Sequence, residues 1–101
     1  MRLTKEQIDC LLQATHLCFG NNAKIWLFGS RVDDSKTGGD IDLYIETDME
    51  TGIIIAKLQM LTSIEGIFGD QKMDILVRRR SLPCSPIQEI AKSTGKELGK
   101  L

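Results

Sequence analysis

Histidine, proline and aromatic side chains are scarce in this chain: one His, two Pro, one Trp, one Tyr and three Phe among 101 residues. Two prolines and nine glycines exclude a collagen-like or proline-rich chain. The three cysteines, Cys10, Cys18 and Cys84, are odd in number and contain no C-x-x-C pair, which argues against a disulfide scaffold. With His16 the only imidazole, a four-ligand zinc site would consume every nitrogen or sulfur ligand in the chain, so the cysteines read as reduced, mostly buried thiols. No apolar run approaches ~20 residues, and Met1-Arg2-Leu3-Thr4-Lys5-Glu6 holds no apolar signal core; a soluble, cytoplasmic protein is the expectation. An excess of charge is missing too. Fourteen acidic against 13 basic residues give a net charge of −1, which excludes an extended nucleic-acid surface built on many phosphate contacts.

What is present is a chain with 42% hydrophobic content, enough to bury one core, and a single domain over residues 1–101. Thr4 is a helix N-cap with Gln7 completing a capping box, Leu3 and Ile8 are spaced as a staple, and Gly20-Asn21-Asn22 ends the helix. Ile25-Trp26-Leu27-Phe28 reads as a buried strand, with Trp26 and Phe28 in the core. The polar stretch from Gly29 to Gly39 is a loop, in which Asp33 and Asp34 are solvated turn residues. Asp40 to Glu46 alternates as a strand, Ile41, Leu43 and Ile45 on one side and Asp40, Asp42, Tyr44 and Glu46 on the other. A second helix runs from about Asp48 to Gly69, with Ile54, Leu58, Leu61 and Phe68 on one face and Ile53, Met60, Ile64 and Ile67 beside them. A third strand covers Lys72 to Val77 and ends in Arg78-Arg79-Arg80, a solvated strand end too short for a basic patch. Ser85, Pro86 and Gln88 start a short last helix whose apolar side is Ile87, Ile90, Ala91 and Leu98. The predicted fold class is α/β (α+β): a small mixed sheet of three strands, or four, flanked by helices in the order α-β-β-α-β-α.

Two carboxylates stand out. Asp40 and Asp42 share one face of a strand, with Cα atoms about 6.5–7 Å apart. Asp is poor in strands and like charges on one face repel, so each costs stability without a cation. Asp74 sits between Met73 and Ile75 in an otherwise apolar run. Three carboxylates on strands make a site for hard divalent ions, and a pair of metals there suits phosphoryl or nucleotidyl transfer. Upstream, Gly29 permits close backbone approach, Ser30 offers a hydroxyl and Arg31 a planar donor fork, a set suited to a triphosphate. Tyr44 shares the Asp face, where it lines the cleft or touches a ligand. His16 is an exposed helix residue with no neighbouring nucleophile to serve.

Gly29-Ser30, nine intervening residues, Asp40-Ile41-Asp42 and a later Asp74 together resemble the nucleotidyltransferase superfamily of DNA polymerase beta, and more narrowly the minimal nucleotidyltransferases. The resemblance spans the whole chain and implies the nucleotidyltransferase fold. It implies that Asp40, Asp42 and Asp74 are catalytic and ligate two Mg²⁺ ions, Asp74 also helping to activate the attacking hydroxyl. It further implies that Gly29 and Ser30, with Arg31 beside them, hold the phosphates of ATP. Minimal nucleotidyltransferases commonly act as antitoxins of toxin–antitoxin pairs, placing AMP on a tyrosine of a HEPN-domain ribonuclease. Two other outcomes stay open: a catalytically silent antitoxin that neutralises by binding, and a small-molecule nucleotidyltransferase of the aminoglycoside-modifying type.

Overall fold

The chain was analysed as a computed structural model, which describes residues 3–28, 41–69 and 71–99. Three helices and four strands follow in the order α1 (Lys5–Phe19), β1 (Lys24–Phe28), β2 (Ile41–Thr47), α2 (Ile53–Phe68), β3 (Met73–Arg79), α3 (Pro86–Thr94) and β4 (Lys96–Glu97). The strands form one mixed sheet in the order β3-β2-β1-β4. β1 lies antiparallel to β2 and β4, and β2 runs parallel to β3, as a helical crossover through α2 requires. No helix among the described residues is long and apolar enough to cross a membrane.

The helix starts follow their caps. The Thr4 hydroxyl accepts the Gln7 N–H at 3.1 Å while the Gln7 side chain accepts the Thr4 N–H at 2.8 Å, and Ser85 and Gln88 repeat the exchange at α3. α2 begins five residues later than the sequence predicts. The Thr47 hydroxyl donates to the Phe19 carbonyl at 2.6 Å and accepts the Met49 N–H, and Arg79 donates to the Glu50 carbonyl. These bonds hold the chain open until Gly52, whose φ of 76° lies in the left-handed region that glycine tolerates best.

α1 and α2 cover one face of the sheet. Leu11, Phe19, Ile25, Ile41, Leu43, Ile45, Met60 and Ile64 are buried there, so the odd-numbered set of β2 is the core side as its alternation predicts. The buried line of α2 is Ala56, Met60 and Ile64; of the expected face Ile54, Leu58, Leu61 and Phe68, the last two are half-buried against the core and Ile54 and Leu58 are exposed, while Met60 and Ile64, expected beside that face, form its centre. The helix is apolar nearly all round, so periodicity does not select a face, and the small Ala56 lets it approach the sheet.

α3 covers part of the opposite face, where Ala91 meets Trp26 and Tyr44. Ile87 and Ile90, expected on its packed side, are exposed. β4, absent from the sequence reading, follows at once: Lys96 and Glu97 pair with Leu27 and Trp26, so Leu98 is buried by a strand instead of a fraying helix. The three cysteines are free and half-buried, less enclosed than expected.

Candidate functional site

Register assembles the site. Asp42 pairs with Asp74 across β2 and β3, and Phe28 pairs with Asp42 across β1 and β2. Phe28, Asp42 and Asp74 therefore form one row on the α3 side of the sheet. Adjacent strands are about 4.8 Å apart, so the two carboxylates stand side by side. β2 is an interior strand with a partner on each side, so its acidic face does not lie on a sheet edge. Phe28 is also the last residue before Gly29-Ser30 in sequence, so β1 ends in the carboxylate row immediately ahead of them.

Asp42 is half-buried and Asp74 exposed, and Asp74 forms no ion pair with any described residue. Both border a cleft of about 460 Å³ with Lys57 and Leu61 of α2 and Ile87 of α3 on its walls. Two adjacent carboxylates carry only acceptor oxygens, and the hard-oxygen donor set fits Mg²⁺. Asp40, Gly29, Ser30 and Arg31, and the turn residues Asp33 and Asp34, lie outside the described residues. Among the described residues no group of three potential ligands occurs; Asp42 and Asp74 supply two of the three carboxylates expected.

A second polar assembly, unanticipated as a unit, lies two rows away. Lys24, Glu46 and Arg78 pair across the sheet, with Trp26, Tyr44 and Leu76 as the row between. Glu46 is buried and accepts from the Tyr44 hydroxyl at 2.7 Å, from Arg78 at 2.9 Å and from Lys92 of α3 at 3.2 Å. Burial alone pushes the Glu46 carboxyl up, but the hydrogen bonds from Tyr44, Lys92 and Arg78 outweigh it and hold the group below the ordinary carboxylate range. The Tyr44 phenol is pushed above its usual range by burial and by bonding to Glu46. Lys92 also sits 5.5 Å over the Trp26 ring, and Trp26 and Tyr44 are 5.2 Å apart.

Two expectations change here. Tyr44 does share the Asp face, yet it is fully buried beneath α3 and does not line the cleft. The three arginines are not a solvated strand end: Arg78 binds Glu46, Arg79 the Glu50 carbonyl, and Arg80 both Asp48 and the Asn22 carbonyl. A signal for the Glu46–Arg78 pair was present in the sequence. Both residues lie four positions after an anomalous Asp on the same strand face, so the register that pairs Asp42 with Asp74 also pairs them. His16 is exposed and Trp26 buried, as expected.

The chain matches no protein-family model and no curated protein. The mixed four-stranded sheet with three helices agrees with the α/β (α+β) class, at the larger of the two expected strand counts.

Proposed function

We propose that this chain is a Mg²⁺-dependent minimal nucleotidyltransferase that moves AMP from ATP to a protein hydroxyl, with the tyrosine of a HEPN-domain ribonuclease as acceptor and antitoxin action as the outcome. The observation that supports it is the cross-strand pairing of Asp42 with Asp74 at the end of the sheet where β1 runs into Gly29-Ser30. Asp42 and Asp74, with Asp40, would hold the metal. Bound there, Mg²⁺ would neutralise phosphate charge and lower the pKa of an attacking hydroxyl.

The residues contribute position and charge. Gly29, Ser30 and Arg31 would bind the β- and γ-phosphates, leaving the α-phosphorus toward the carboxylates. Asp74, exposed at the cleft, would accept the proton of the acceptor hydroxyl as that oxygen attacks phosphorus. The bond to pyrophosphate breaks in line, pyrophosphate leaves, and the acceptor keeps the AMP. Orientation of the reactants would supply most of the rate.

The test is incubation of the chain with ATP, Mg²⁺ and a HEPN-domain ribonuclease, followed by intact mass of the ribonuclease. An AMP-sized increment is expected, lost with Asp42→Asn. Neutralisation without an increment, retained in that variant, would replace transfer by the silent-antitoxin reading; nucleotide placed on free aminoglycoside by the chain alone would replace the protein acceptor.

A further inference from the structure

β3 is an edge strand of seven residues, and the helices that flank it turn its outer edge into a groove. Ile41 donates its N–H to the Lys72 carbonyl, and Arg80 donates to the Thr47 carbonyl. With the parallel register, these bonds direct the backbone groups of even-numbered β3 residues toward β2. The N–H and C=O groups of Met73, Ile75 and Val77 therefore point outward, and no described strand pairs with them. Arg79 closes the free stretch, because its carbonyl accepts the Leu82 N–H at 2.9 Å.

Two clefts follow one another along this edge. The first, of about 460 Å³, runs past Met73 to Leu76 between Lys57 of α2 and Ile87 of α3. The second, of about 650 Å³, runs past Val77 to Arg79 between Ile54 of α2 and Leu82. Ile54, Leu82 and Ile87 are exposed apolar walls. Natural sheets usually blunt such edges with proline, a bulge or a covering element, and β3 contains no proline. A floor of unpaired backbone groups with apolar walls recognises an extended chain through main-chain bonds and alternate side-chain pockets.

We propose that the β3 edge is the acceptor site: an extended segment of the acceptor protein adds to β3 as a fifth strand and so delivers its hydroxyl to the carboxylate row. This deepens, and rests on, the nucleotidyl-transfer reading. A residue paired across from Asp74 has its side chain on the face that bears Asp42 and Asp74, with Cβ about 4.5–5.5 Å from that of Asp74. The row Phe28, Asp42, Asp74 gains the acceptor residue as its next member.

Charge favours a separate acceptor over a second copy. A two-fold β3–β3 pairing that uses the free groups, Ile75 opposite Ile75 and Met73 opposite Val77, sets Lys72 opposite Arg78 of the second copy, like charge against like. The next register sets Met73 opposite Arg79, whose carbonyl is already bonded. Lys57 is the cation among the described residues lining the first cleft and has no ion-pair partner among them, so it complements a carboxylate on the incoming segment. The occupant is an extended segment, apolar at alternate positions, with an acidic residue near the accepting hydroxyl.

The experiment is hydrogen exchange of the full chain, without ATP or Mg²⁺, against a peptide of about nine residues alternating valine with serine and flanked by glutamate. A control peptide is N-methylated at every second backbone nitrogen. Exchange at the Ile75 and Val77 amides is expected to slow about tenfold with the first peptide and not with the second. Val77→Pro, which removes an outward N–H and no bond to β2, is expected to abolish the protection at Ile75 while the chain keeps a cooperative melt, lowered by the lost packing of Val77 on the core. Unprotected edge amides at saturating peptide would overturn the proposal, as would protection that appears without peptide and rises with protein concentration, the mark of a second copy. Nucleotide transfer with an unprotected edge removes this proposal and leaves the transfer reading; protection in a chain that never transfers nucleotide supports the edge as a binding site and removes the reading.

Discussion

Asp42 and Asp74 stand beside each other because two strands separated by a helix meet in one register. Asp74 gains no ion pair among the described residues and repels its neighbour, so Asp74→Asn is expected to hold or raise the melting temperature while transfer falls about 10²–10³-fold. Scanning calorimetry with a parallel rate measurement checks both. Mg²⁺ should raise the melting temperature of the native chain and leave that of an Asp42→Asn, Asp74→Asn chain unchanged, because only a state that binds the ion is stabilised by it.

Glu46 is the opposite kind of carboxylate: buried, triply bonded and charged. Its folded pKa lies below its unfolded one, so its stabilisation is complete above the unfolded value, ordinarily near 4.5, and is lost as pH falls through the folded value. Glu46→Gln is expected to cost about 2 kcal/mol at neutral pH, less than a fully buried pair because Lys92 is largely solvated, and the difference from the native chain should shrink below pH 4.5. Denaturant melts across that range read it directly.

At the scale of elements, the two helix starts with side-chain caps were legible from sequence, because Thr4 and Ser85 act through neighbours three residues away and Pro86 through its own fixed φ. So was the alternation of β2, whose two sides differ in polarity at every step. The face of α2 was not, since apolar residues surround it and only packing against the sheet chooses Met60 and Ile64. β4 is two residues long, too short for any periodicity, and forms because α3 ends beside β1. The register of β2 on β3 depends on how α2 crosses the sheet; the sequence supplied three carboxylates but not the pairing that makes Asp42 and Asp74 neighbours.

Gly95 carries the junction between α3 and β4. A Cβ there would run into the Ala91 and Leu27 carbonyl oxygens and the Phe28 Cβ, backbone that cannot yield as a flexible side chain would. Gly95→Ala is expected to destabilise by about 1–3 kcal/mol and to loosen α3, seen as faster amide exchange across Pro86–Thr94. Because α3 also overhangs the cleft through Ile87, the variant should weaken acceptor binding more than ATP binding.

For the molecule as a whole, the balance of 14 acidic against 13 basic residues bears on the partners it can hold. Arg78 and Arg80 are paired with Glu46 and Asp48, and Arg79 is tied to the Glu50 carbonyl, so these three arginines do not form a free basic patch. Locally the charge is uneven, with two carboxylates at one end of the sheet where a cation would reverse the sign for a triphosphate. Under the proposed transfer, the β3 edge beside that site is where an acceptor protein would add. The decisive measurement is which phosphate of ATP becomes covalently attached to the HEPN-domain partner, followed with ATP labelled at the α- or the γ-position in separate reactions with Mg²⁺. Nucleotidyl transfer predicts that α-label stays on the partner while γ-label leaves as pyrophosphate, and that both Asp42→Asn and Asp74→Asn abolish the α-label. Retention of γ-label, or of α-label undiminished in both variants, would contradict it.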